Sequence, residues 1–66
     1  MRLDVNRIVK VMSQKQGYNY TQRDLAADLN CSYQSVTNWK RNGNPSASQV
    51  NRILNLTNLK FDEIWL

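Results

Sequence analysis

The stretch Thr21–Gly43, TQRDLAADLNCSYQSVTNWKRNG, constrains this chain more than any other. It predicts two short helices joined by a tight turn, the first over about 21–30 and the second over about 32–42. Thr21 suits the N-cap of the first, its hydroxyl accepting from an orphan amide, and Asp24 three residues on can bond back to the cap. Leu25, Ala26 and Leu29 share one face of that helix. Asn30 follows, one of the few residues besides glycine that enters the left-handed conformation a sharp helix exit needs. Ser32 then caps the second helix, with Val36 and Trp39 inward and Tyr33, Gln34, Thr37, Asn38 and Arg41 outward. Polar side chains crowded on the first turns of an exposed helix are what reading the edges of nucleotide bases requires.

Composition narrows the classes. The 66 residues make one small domain over 1–66, and a hydrophobic share of 41% suffices for a core. There is no histidine and one cysteine, Cys31, which removes His-based triads, disulfide frameworks and the usual zinc sites. Cys31 falls in the turn, where a small buried hydrophobe fits better than a reactive thiol. The five acidic residues are scattered, and no glycine-rich phosphate loop or nucleophile–base pair occurs, so neither an enzyme nor a cofactor or small-molecule ligand is expected. No apolar run approaches ~20 residues and the opening MRLDVNRIV is too polar for a signal peptide, so the expectation is a cytoplasmic protein with no membrane partner. Nine basic residues against five acidic ones, a charge of +4, favour polyanionic partners without proving one.

The flanking segments read as helices too. Asp4 caps a first helix to about Gln16, with Val5, Ile8, Val9 and Met12 as its stripe, Leu3 stapling against Ile8, and Gly17 closing it. Arg7, Lys10 and Lys15 lie on or near its polar side, where solvation alone accounts for Arg7 and Lys10. Tyr20 precedes the Thr21 cap and should pack onto the core. Lys40, Arg41, Asn42, Gly43 and Asn44 end the central pair; two cations there suit the helix dipole, and the polar loop equally suits a sugar-phosphate backbone. Ser46-Ala47-Ser48-Gln49 is a capping-box pattern opening a fourth helix with Val50, Ile53 and Leu54 buried and Asn58 closing it. A fifth short helix, about 60–65, is expected to bury Leu59, Phe61 and Ile64. Trp65 and Leu66 either seal the core or form an exposed patch for self-association. The expected fold is a compact all-α domain of five helices.

From Val5 to Trp65 this sequence resembles the phage-repressor and Cro type of helix-turn-helix, the XRE-like family with a lambda-repressor-like fold. The likeness rests on TQRDLA, on the turn at Asn30, on Ser32 opening a helix that holds Val36 and Trp39, on the Asn42-Gly43 exit, and on PSASQVNRIL followed by FDEIW. Ala26 stands where the two helices cross and a larger side chain would part them. The resemblance implies a transcription regulator, a homodimer that binds a two-fold symmetric operator in double-stranded DNA, with half-sites about one helical turn apart. It places Tyr33, Gln34, Thr37 and Asn38 at base-reading positions, and Gln22 where the family glutamine bonds a phosphate and buttresses the recognition helix. Lys15, Lys40, Arg41, Asn42 and Asn44 are the further phosphate candidates. The short chain points to a Cro-like phage or prophage repressor; an antitoxin-type regulator of the same fold, which also binds a protein partner, is the rival.

Three positions depart from the family pattern. Relatives often pair a basic residue late in the first helix with a glutamate near the end of the recognition helix; Lys15 and Lys40 stand there, so that ion pair cannot form. Asn30 replaces the commoner glycine. Lys60 stands where a small capping residue is usual, which leaves the last helix and the dimer surface open.

Overall fold

Four α-helices carry the fold: α1 (Val5–Gln16), α2 (Gln22–Asp28), α3 (Tyr33–Arg41) and α4 (Ala47–Thr57). The computed structural model describes residues 2–66, so Met1 of the domain expected over 1–66 lies outside the described residues. Each α-helix starts at a side-chain cap. Asp4 accepts from the Arg7 amide at 3.2 Å, Thr21 from Asp24, Ser32 from Ser35 and Ser46 from Gln49. At Thr21 the capping box is complete, because Asp24 Oδ2 accepts from the Thr21 amide at 2.8 Å. At Ser46 only half of the expected box forms. Gln49 turns its amide to the Leu29 carbonyl at 3.2 Å instead, bonding a carbonyl at the end of α2 and tying α4 to it.

The core is built from all four helices and the segments flanking them. Leu3, Val5, Ile8, Met12, Tyr20, Leu25, Ala26, Leu29, Val36, Trp39, Val50, Ile53 and Ile64 are buried. Gly17 ends α1 at φ 77°, a conformation that excludes most L-residues, and its amide bonds the Ser13 carbonyl. Tyr20 then locks α1 against α2. Its amide donates to Ser13 Oγ at 3.0 Å, and its hydroxyl donates to Asp28 Oδ2.

The expected fifth helix is not formed. Phe61–Glu63 makes a single 3-10 turn, after which Ile64 bends the chain and Trp65 enters a backbone bridge. The reason lies at the other end of the chain. Leu3 and Trp65 form an antiparallel bridge, flanked by Asp4 N–H to the Ile64 carbonyl and Leu66 N–H to the Arg2 carbonyl, both at 2.8 Å. Backbone groups committed to that bridge cannot continue a helix. The Lys60 side chain supplies no acceptor for the first turn; the turn is held by the Glu63 amide donating to the Lys60 carbonyl and the Lys60 amide donating to Glu63 Oε1, both at 2.9 Å. Ile64 is buried as expected, but Phe61 is 56% exposed. Trp65 is partly buried against the core and edge-on to Phe61, with ring centroids 5.7 Å apart, whereas Leu66 is exposed.

Burial and the Asp28 carboxylate together push the Tyr20 phenol well above its ordinary range. A folded phenol that holds its proton above the unfolded value of about 10 stabilises the fold fully below that pH and loses the contribution as pH rises past it. Tyr20→Phe should therefore lower stability near neutrality by about 0.5–1.5 kcal/mol and flatten the alkaline decline. Melting curves of both proteins across about pH 8–11 check this; parallel declines would exclude Tyr20 as the titrating group.

Candidate nucleic-acid interface

The α2–α3 turn is closed by backbone geometry. Asn30 sits at φ 55°, its amide donates to the Ala27 carbonyl at 3.1 Å, and the Cys31 amide donates to Ala26 at 2.9 Å. These two bonds are the Schellman pattern, made here on asparagine in place of glycine. Ala26 is buried in the core, and Cys31 is partly buried against the same core, its thiol pKa raised by desolvation. That suits a packing thiol, not a reactive one.

With Val36 and Trp39 turned inward, α3 has one outer face. Tyr33, Gln34, Asn38 and Arg41 are exposed on it and Thr37 is half-buried. Gln34 Nε2 donates to Asn38 Oδ1 at 3.4 Å, one turn apart, which aligns the two amides while leaving the Gln34 carbonyl and further N–H groups free. Thr37 bonds back to the Tyr33 carbonyl at 3.1 Å, so its hydroxyl proton is taken and its methyl and lone pairs remain. Arg23, second residue of α2, stacks over the Tyr33 ring at 4.7 Å from the centroid. One ring face is therefore covered.

The phosphate candidates divide. Lys40, Arg41, Asn42 and Asn44 are exposed at the end of α3 and in the loop beyond, where the Asn42 amide bonds the Asn38 carbonyl. Gly43 passes so close to that turn that a Cβ would lie 3.2 Å from the Asn38 oxygen. Gln22 is half-buried, and its Oε1 is buried with no hydrogen-bond partner among the described residues. Lys15 goes elsewhere: its ammonium donates to the Leu56 carbonyl at 3.0 Å, at the C-terminal end of α4. The missing glutamate partner is thus replaced by a helix end. No carboxylate side chain occurs between Asp28 and Asp62, so α3, its exit loop and α4 carry cations without counter-charges of their own.

A family model described as helix-turn-helix matches residues 12–64, most of the chain. The chain belongs to the XRE-like helix-turn-helix family. It is a DNA-binding transcription regulator of that type. Neither the curated proteins nor the solved structures give a match. The sequence alone points to no role for Arg23. Its signal was its place one residue after Gln22, but the pairing with Tyr33 exists only once α2 and α3 have packed.

Lys15 now has a structural partner. Lys15→Met should lower stability by about 0.3–1 kcal/mol, measured by thermal melting at low salt, and leave duplex affinity nearly unchanged. Unchanged melting with weakened binding would return Lys15 to the phosphate contacts.

Proposed function

We propose that this domain is a Cro-like repressor that binds a two-fold symmetric operator as a homodimer and excludes polymerase from an overlapping promoter. The outer face of α3 carries the reading: Gln34 and Asn38 are aligned by their own hydrogen bond and stand free of carboxylates. An amide in that position pairs its carbonyl and N–H with the N6 and N7 edge of adenine. Thr37 offers its methyl to a thymine methyl, and Tyr33 offers its hydroxyl and its uncovered ring face. Gln22, Lys40, Arg41, Asn42 and Asn44 supply backbone contacts, which dominate affinity without carrying sequence information.

Size supports two copies. The longest extent of the domain is 28 Å, shorter than the ~34–36 Å between half-sites one helical turn apart. One copy presents one α3 and reads one half-site. The exposed Phe61 and Leu66, beside Trp65, are the surface we assign to self-association. The partners implied are duplex DNA and a second copy, and the compartment is the cytoplasm.

Selection from random duplex at two salt concentrations tests the reading. The expected result is a symmetric motif with half-sites about one turn apart. Salt-sensitive binding without a motif would reduce the protein to a nonspecific binder, and no binding at low salt would overturn the proposal. Gln34→Ala should weaken operator binding by about 1–3 kcal/mol with little change on random duplex. Equal losses on both would remove Gln34 from base reading.

A further inference from the structure

We propose that Arg23 is itself a DNA contact, and that Arg23 stacked on Tyr33 acts as one recognition unit bridging α2 and α3. The inference rests on the duplex-binding reading above and adds a residue that neither the family match nor the reading of α3 assigns. Three observations carry it.

The first is geometry. The Arg23 guanidinium lies 4.7 Å from the centroid of the Tyr33 ring, and both residues are exposed, Tyr33 at 43%. The guanidinium is held over the ring by its charge and makes no side-chain hydrogen bond among the described residues. Its five N–H donors point outward in the plane of the group and stay available. The ring thus holds a rigid fork of donors beside the first residue of α3, with less side-chain freedom left to lose on binding.

The second is the lack of a structural reason for the charge. Among the described residues the ion pair is Arg7 with Glu63, and Arg23 has no carboxylate partner. The neighbouring Asp24 is engaged by the Thr21 amide and hydroxyl. Arg23 also sits in the first turn of α2, the end at which a cation opposes the helix dipole. Lys40 and Arg41, by contrast, sit in the last turn of α3, where a cation is favoured without any ligand. An arginine in the wrong place for its own helix makes sense when an anion or an acceptor edge arrives from outside.

The third is the consequence for Tyr33. With one face covered by Arg23, the ring is a platform before it is a reader, and the hydrogen-bonding capacity at this corner belongs mostly to the guanidinium. The chemistry that matches a planar fork is two acceptor atoms side by side. On duplex DNA these are the O6 and N7 of guanine or two oxygens of a phosphate.

Operator binding, random-duplex binding and melting temperature should be measured for Arg23→Ala, Arg23→Lys, Tyr33→Leu and the Arg23→Ala/Tyr33→Leu double variant, using the selected motif. We expect Arg23→Ala to weaken operator binding about tenfold and leave the melting temperature unchanged or raised. Arg23→Lys should not restore binding if the contact is guanine, because an ammonium has no planar fork, and should restore part of it if the contact is phosphate. The double variant should lose little more than the worse single variant. If the contact is guanine, Arg23→Ala relaxes selection at one position in each half-site and spares random duplex. If it is phosphate, operator and random duplex lose equally and the salt slope falls by about one. Wild-type affinity and motif in Arg23→Ala would overturn the inference and leave a brace between helices, while the duplex-binding reading stands. Failure of the wild-type protein to bind any duplex would overturn both.

Discussion

The left-handed residue at Asn30, with the two hydrogen bonds it closes back onto α2, sets the angle at which α3 leaves the preceding helix. Ala26 enters this constraint twice. Its carbonyl accepts from the Cys31 amide, and its small side chain is buried in the core, so one residue supplies the closing bond and takes little room beside the turn. Once that angle holds, burying Val36 and Trp39 leaves α3 no rotational freedom. The helical period then assigns Tyr33, Gln34 and Asn38 to the outside. The outer face of α3 is therefore a consequence of that turn, and Tyr20, bonded to both Ser13 and Asp28, holds α1 in place behind it.

Charge is distributed by the same structural needs. Asp4 and Asp24 cap helices, Asp28 takes the Tyr20 hydroxyl, and Glu63 meets both Arg7 at 3.6 Å and the Lys60 amide. Four of the five carboxylates are thereby tied to local structure, and none lies on α3 or α4. The ion pair is half-exposed and contributes little on its own, about 0–1 kcal/mol. Its larger effect is topological, since it fastens the 3-10 turn to α1 beside the Leu3–Trp65 bridge. What remains around α3 is uncompensated positive charge, which steers the approach of a polyanion.

The helices were legible because their signals are local. Caps at Asp4, Thr21, Ser32 and Ser46, apolar spacing, and left-handed exits at Gly17, Asn30 and Asn58 all act within a few residues of one another. The misread parts depend on partners distant in sequence. Phe61 fits the core of a helix from about residue 60 to 65, but the chain's N-terminal segment bonds the Ile64 carbonyl and the Leu66 amide and leaves the Phe61 ring outside. Gln49 fitted a capping box, yet an unbonded carbonyl at Leu29, twenty residues earlier, claims its amide. The bond from Lys15 to the Leu56 carbonyl, 41 residues on, likewise has no local signal. The candidate site divides in the same way. The outer face of α3 follows from periodicity, whereas the Arg23–Tyr33 stack follows from how two helices cross.

Order on that face matters because the domain is small. A single module of this kind offers about 600–1,000 Å² to a duplex, and a face of long, unrestrained side chains would lose about 0.5–1.5 kcal/mol of freedom for each one fixed on binding. Here much of that ordering precedes the ligand. Gln34 is held to Asn38, Thr37 to its own helix, and Arg23 to the Tyr33 ring. Each tether uses part of a side chain's capacity and leaves the rest aimed outward: an amide edge, a methyl group, a guanidinium fork. The same tethers limit what can be read, because groups that cannot swing cannot adapt to a wrong base pair. If α3 reads bases as proposed, that order serves specificity, while cations without carboxylate partners and a second copy would serve affinity.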